Sequence, residues 1–428
     1  MKNPLELVVI YVIILLISII YEYPQLSFAK PTVVADNKLE VEKVFVGSIK
    51  PTTMSFIGQN EFLILERNEG KVYRVENGVM DPRPLLDVNV AIDGYRGMIG
   101  IAASTKNNIT NIFLYFTEAK THDGDDQDKS NPKEPLGNRL YKYDLENNRI
   151  VNPKLLLDLP ALPGPRHPGG IVALGPDNNL YVTVGDIDGT FRKGYETIAQ
   201  NYENGSSADG RSGILRITQD GNPVEHGILG HTSPLDLYYA YGIRNSFGID
   251  WEPITGELWD SENGPHYGDE INRVEPGFNS GWVSVQGIWE PNLDEKGELS
   301  LNPKNLVDFG GKGKYSPPEL IWIPPVAPTA IKFYNSDKLG SQYKNDLFVA
   351  DANTGSIYHF DLNDNRTDLK LQGPLKDRIV NNDEESKEVI FANGFGRITD
   401  LKIGPDGYMY VLSSEDDGAV LYKISDAK

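Results

Sequence analysis

Three short segments carry residue types able to do chemistry. The first, Pro165-Arg-His-Pro-Gly-Gly, holds His167 on compact backbone. An imidazole is the side chain suited to general-base work near neutral pH. The second, Tyr241-Gly-Ile-Arg-Asn-Ser-Phe-Gly, sets Arg244 and Asn245 between two glycines. A guanidinium there can polarise a carbonyl or grip a carboxylate through a fork of hydrogen bonds. The third, Ser261-Glu-Asn-Gly-Pro-His-Tyr-Gly-Asp-Glu-Ile-Asn, joins carboxylates to a Gly-Pro turn, and acids with free carbonyls are the hard oxygen donors that calcium takes. Singly, each has a plainer reading: a loop histidine is more often structural than catalytic, and an arginine among many acids is more often an ion-pair partner. Two further acidic stretches, residues 122–128 and Glu415-Asp-Asp, lack the bidentate glutamate of an EF-hand and read as solvated loops.

These segments need a scaffold that brings them together, and the chain supplies one by repetition. An apolar strand, a polar loop and a second strand recur six times. The leading strands start near Phe62, Ile112, Leu180, Glu257, Asp346 and Tyr408; their partners begin near Lys71, Asn138, Gly213, Asp269, Ser356 and Ala419. Alternating apolar and polar positions give the strand period of two. The spacing leaves room for four strands per repeat. A four-stranded sheet buries both faces only between two neighbours, so the expected fold is all-β, a six-bladed propeller with four-stranded blades; a two-sheet sandwich is the plainer alternative. The segment from Val41 to Ile49 precedes the first repeat and is expected to close the ring by joining the last blade. Functional residues then gather on loops at one mouth of the central channel.

Composition narrows the function classes. The net charge of −20, from 41 basic and 61 acidic residues among 428, argues against nucleic-acid binding and against electrostatic docking to anionic lipid. With no cysteine there is no disulfide, thiol nucleophile or iron–sulfur cluster. Gly (42) and Pro (28) form about a sixth of the chain, which favours turn-rich β structure.

Residues 1–29 read as an address. The apolar run from Leu5 to Ile20 is followed by Ser27-Phe-Ala, which fits a cleaved signal peptide, with an uncleaved membrane anchor as the rival. Residues 30–428 form the expected propeller domain, placed outside the cytoplasm and touching a membrane only if the leader is retained. Sequons at Asn108, Asn204 and Asn365 agree with that location.

Taken in order, the motifs resemble the soluble quinoprotein aldose sugar dehydrogenases, the glucose/sorbosone dehydrogenase family. The resemblance runs from about Val41 to Ile424 and rests on His167-x-Gly-Gly, Gly185-Asp186, Gly242-Ile-Arg-Asn, Ser261-Glu-x-Gly-Pro, Asp269-Glu-Ile-Asn, Trp322-x-Pro-x-Val-Ala-Pro and Gly396-Arg-Ile-Thr-Asp. It implies a six-bladed propeller that binds pyrroloquinoline quinone (PQQ) and calcium, oxidises an aldose at C1 and passes electrons to an external acceptor. His167 would take the proton of the C1 hydroxyl, and the hydride would go to the quinone C5, whose carbonyl Arg244 polarises beside Asn245. Asn263 and Arg397 would bind the cofactor, the carbonyls of Gly264 and Pro265 would hold calcium, and Trp322 and Arg166 would face the sugar.

The chain departs from the family pattern at four of these positions. Tyr95, at a position expected to meet the cofactor, stands where the glucose enzymes carry a glutamine, Asn353 replaces a cofactor-binding lysine, Thr399 the second arginine of Arg-x-Arg-Asp, and Arg166 an acid beside the catalytic histidine. Two of these changes remove positive charge facing a tricarboxylate. They leave two other readings open: a non-redox propeller that binds glycan or protein, and a calcium-dependent lactone hydrolase.

Overall fold

The computed structural model describes residues 31–107, 109–120, 134–189, 192–288 and 306–427. The leader, the Asn108 sequon and the acidic loop at 122–128 lie outside them. Among the described residues no helix is long and apolar enough to cross a membrane.

The fold is all-β and propeller-like. The strands pair into six sheets, led by Pro51–Gly58, Met98–Lys106, Val172–Leu174, Ser246–Trp251, Pro328–Phe333 and Arg397–Ile403. Each of the six strand pairs expected from the repeats forms an antiparallel ladder. Leu39–Gly47 runs antiparallel to Gly418–Asp426, from Leu39↔Asp426 to Gly47↔Ala419. The N-terminal strand therefore completes the last sheet. The sheets touch in cyclic order, Pro51–Gly58 meeting both Met98–Lys106 and Arg397–Ile403.

Two expectations need correction. Among the described residues two sheets have four strands and the others have five or six. Short added strands supply the extra ones: Leu86–Asp87 pairs with Lys71–Glu76 in the first sheet, Phe278–Asn279 and Lys314–Tyr315 extend the third in parallel, Ile379–Val380 extends the fourth in parallel, and Thr32–Val33 extends the fifth in antiparallel fashion. Nor do the second strands alternate. Leu180–Val184, Leu258–Glu262 and Leu347–Asp351 are buried at every position, because a sheet packed on both faces has no solvent side to be polar.

The core lies between the sheets. Phe45, Met54, Phe62, Ile64, Leu412 and Leu421 join the first sheet to the last. Trp259, Ile271, Trp322, Phe333, Val349, Tyr358 and Phe360 fill the space between the fourth and the fifth.

Candidate active site

Loops and strand ends from several sheets enclose a cavity of about 920 Å³. His167, Arg166, Arg244, Asn245, Asn263, Gly264, Pro265, Tyr95, Asn353, Arg397 and Thr399 all line it. The three segments that carry chemistry in the sequence therefore meet at one place.

His167 is held in a left-handed backbone conformation (φ 55°), followed by Gly169 at φ 74° and Gly170 at φ 117°. Such a conformation is uncommon outside glycine and persists only where the surroundings impose it. Here the Tyr115 hydroxyl donates to the Pro168 carbonyl (2.8 Å), and the Gly170 amide donates to Thr183 O (2.9 Å). A Cβ at Gly185 would lie 2.5 Å from His167 O and 2.7 Å from Arg244 O. The missing side chain lets the imidazole loop and the guanidinium loop close on the third sheet together.

The imidazole Nδ1 stands 2.6 Å from Oδ1 of buried Asp186. A carboxylate only accepts, so Nδ1 carries a proton, and in the neutral imidazole the lone pair is then on Nε2. Asp186 is itself fixed: the Asp188 amide donates to Oδ1 (3.1 Å), the Trp282 indole donates to Oδ2 (3.1 Å), and the Asp186 amide donates to Arg244 O (2.9 Å). The Trp282 ring also lies 5.4 Å from the Arg244 guanidinium carbon, within cation–π range.

Arg244 Nη1 donates to the carbonyls of Asn263 (2.6 Å) and Gly264 (2.9 Å), and its amide donates to Glu262 Oε1 (2.5 Å). Burial lowers the guanidinium pKa, and the charges of Asp186, Glu262 and Asp269 oppose that shift. Asp269 bridges two cavity loops, accepting from the Gly264 amide (2.8 Å) and the Ala327 amide (2.7 Å); burial pushes its carboxyl up to about 6. Asp260, Glu262 and Glu270 are fully buried on adjacent strands, with Glu262 opposite Glu270. Burial lifts Asp260 and Glu270 to about 7 and Glu262 well above the carboxylate range, where Glu270 and Asp260 add their repulsion. The Ser280 hydroxyl reaches Glu262 (2.7 Å) and Glu270 (3.3 Å).

The remaining expectations fare unequally. Asn263 Nδ2 donates to Pro328 O (2.8 Å), and Asn245 O accepts from the Asn263 amide (2.9 Å). Asn353 Nδ2 bonds Pro325 O (3.3 Å) and Thr399 Oγ1 bonds Leu412 O (3.3 Å), so both departures serve their own backbone. Tyr95 and Arg397 are exposed at the cavity wall. Trp322 does not line the cavity. It is 1 % exposed, its ring 5.3 Å from Tyr358 and 6.3 Å from Phe360. Its backbone passes the site, accepting from the Gly268 amide (3.0 Å), while the indole faces the intersheet core. The Gly264 carbonyl, expected to be free for a metal, already accepts one bond from Arg244; a carbonyl keeps a second lone pair.

The residues present fit an anionic quinone and a divalent cation. Lys50, Arg67, Arg166, Arg244 and Arg397 line the cavity together with Glu66, Glu69, Glu415, Asp416 and Asp417, so it offers cations to an anionic quinone within a wall of mixed charge. Asn245 Oδ1 is buried without a protein partner, an oxygen left over for a ligand. Asp269, which accepts from the Gly264 amide, sets a carboxyl beside the Gly264-Pro265 turn, whose carbonyls are oxygen donors of the kind a divalent ion takes. Sequence reasoning assigned no role to Asp186 or Trp282. The first was visible only as part of a Gly-Asp motif, and the second carried no signal.

The family described as glucose/sorbosone dehydrogenase matches residues 49–422. The aldose sugar dehydrogenase YliI of Escherichia coli K12 is 27% identical over 276 residues, 61% of each chain. Quinoprotein glucose dehydrogenase B of Acinetobacter calcoaceticus is 29% identical over 267 residues, 58% of this chain and 53% of that one. Both alignments thus span less than two thirds of the relatives. In fold, the chain matches the PQQ-bound form of aldose sugar dehydrogenase from Streptomyces coelicolor with a TM-score of 0.61 at 20% identity, covering 91% of this chain and 99% of that one. With the family matched across almost all of the described residues, the chain belongs to the glucose/sorbosone dehydrogenase family.

Proposed function

We propose that this protein is an extracytoplasmic, PQQ- and calcium-dependent dehydrogenase that oxidises the C1 hydroxyl of an aldose to the lactone and delivers electrons to an external acceptor. The observation that carries the reading is the shared wall on which the His167–Asp186 pair and Arg244 stand. We read the six sheets, cyclic in contact and closed by Leu39–Gly47, as six blades around that cavity.

The chain's own residues have defined tasks. Asp186 holds Nδ1 protonated, leaving Nε2 of His167 to accept the C1 hydroxyl proton. As that proton moves, the imidazolium that forms is stabilised by the carboxylate 2.6 Å away. Arg244, anchored by two carbonyls and the Trp282 ring, presents fixed positive charge where negative charge grows on the acceptor. Arg397 and Arg166 attract anionic groups at the exposed rim. When bound, PQQ supplies the hydride acceptor and calcium, held by Gly264 and Pro265 carbonyls, supplies a Lewis acid.

Protein given PQQ and calcium should reduce a dye with at least one aldose, and His167→Ala should abolish this while leaving the circular dichroism spectrum unchanged. The absence of turnover across a broad aldose panel overturns the proposal. One observation favours a second reading, a sugar-binding propeller without redox chemistry: neither Asn353 nor Thr399 presents a cation to the cavity. Calorimetric heat from sugars but none from PQQ selects it.

A further inference from the structure

We propose that Asp346, His359 and Asp361 form a binding site for a divalent transition-metal ion, with zinc the best match, at the end of the fifth sheet away from the cavity. Asp346 and Asp361 flank a hairpin whose register pairs Leu347 with Phe360 and Phe348 with His359. One further step along that register sets Asp346 opposite Asp361. His359, in the strand Ile357–Phe360, and Asp361, one residue past its end, are two apart and share a face. Asp346 reaches that face from across the ladder. At the other end of its strand, Ala352 and Asn353 line the cavity; none of the three residues proposed here does.

The distances suit an ion. His359 Nε2 lies 3.0 Å from Asp346 Oδ2 and 3.6 Å from Asp361 Oδ1, and the three ligand atoms are within 4.8 Å of one another. Tetrahedral zinc, with bonds of about 2.0–2.1 Å, separates its ligand atoms by roughly 3.3–3.4 Å, between the two nitrogen–oxygen spacings found here. The imidazole is held in place by Phe348 (4.9 Å between ring centroids), Tyr343 (5.2 Å) and Phe391 (6.4 Å), so packing already aims Nε2 at the carboxylates. Asp361 is exposed, which leaves the fourth position to water.

Charge points the same way. Two carboxylates converge on one imidazole. Nearby cations compensate only in part. Arg366 is 4.0 Å from the other Asp346 oxygen, Oδ1, and is committed to Glu252 (2.9 Å) and to the Asn345 carbonyl. The Lys370 charge also acts on Asp361. The ring nitrogen selects zinc or its neighbours over calcium and magnesium, which take oxygen.

The test uses the untagged full chain, stripped with chelator and kept in excess calcium so that oxygen-only sites are filled. Zinc titrated calorimetrically should bind at one equivalent, and cobalt(II) should give the visible absorption of a tetrahedral site. His359→Gln and the surface change Asp361→Asn should each weaken binding at least about 100-fold, with circular dichroism unchanged. The proposal is overturned if zinc fails to bind, or if binding survives in either variant. Should His359→Gln not fold, Asp361→Asn alone decides.

Discussion

Trp282 donates its indole N–H to Oδ2 of Asp186 at 3.1 Å, while its ring lies against the Arg244 guanidinium. One side chain thereby ties the partner of His167 to the Arg244 cation, although the three residues come from distant parts of the chain. The coupling makes the orientation of His167 depend on a carboxylate that does not itself line the cavity.

Asp186→Asn is accordingly expected to lower kcat by about 10²–10⁴-fold with little change in KM for the sugar. The amide can donate to Nδ1 and so favours the wrong tautomer, with Nε2 protonated. A purely structural role would instead show as a fallen Tm with kcat intact. Steady-state kinetics alongside thermal unfolding separates the two.

Arg244→Lys tests the guanidinium geometry. Lysine keeps the charge but cannot reproduce the planar stacking on Trp282 or reach both carbonyls in the same manner. Turnover should fall by about 10²–10³-fold, the cost of losing one preorganised donor to developing charge. Full activity in Arg244→Lys would reduce the residue to a point charge.

Trp322 shows where sequence reading stops. Its motif led to the expectation that the ring faces the sugar, but a motif does not say to which face of a two-sided sheet a ring turns. Trp322→Ala should cost about 3–5 kcal/mol of stability, as other large-to-small core changes do, whereas Trp322→Phe should leave the sugar KM unchanged. A KM raised in Trp322→Phe at unaltered stability would restore the expected contact.

What was legible follows from locality. His167, Arg244-Asn245 and Gly264-Pro265 stand out because glycine and proline mark their loops, and the six strand pairs stand out because each strand carries a short apolar run of its own, even where a long insertion parts Leu180–Val184 from Gly213–Ile217. The two-residue strands Phe278–Asn279 and Ile379–Val380 pair with distant partners and are too short to carry a pattern. The His167–Asp186 bond spans 19 residues and a turn of backbone, and only the folded chain brings its atoms together.

The buried acids give stability a pH slope of known sign. Asp260 and Glu270 titrate near 7 in the folded protein, above their ordinary 3.8 and 4.5, chiefly through burial. Between those ordinary values and 7 the native state holds protons that the unfolded chain has lost, so stability falls as pH rises through the window and levels off above it. Urea midpoints of protein freed of divalent ions should therefore be higher at pH 5 than at pH 8. Glu270→Gln should flatten the slope, and a midpoint rising over that range would show that the acids are ionised with compensation.

Gly169 offers the sharpest control on how the histidine loop is held. It shares φ 74° with Gly256, so alanine meets the same backbone strain at both positions. At Gly256 a new Cβ meets nothing within 4 Å; at Gly169 it would lie 2.1 Å from Thr183 O and 2.6 Å from Val184 Cα, both backbone. Gly256→Ala should cost about 1–2 kcal/mol, the left-handed penalty alone, and leave kcat untouched. Gly169→Ala adds a clash that only movement of the Pro168–Gly170 backbone can relieve, carrying His167 away from Asp186. Its Tm should drop further and its kcat should fall toward that of Asp186→Asn. Equal effects in the two alanine variants would mean that the loop yields without moving the imidazole, and that the base is positioned by Asp186 alone.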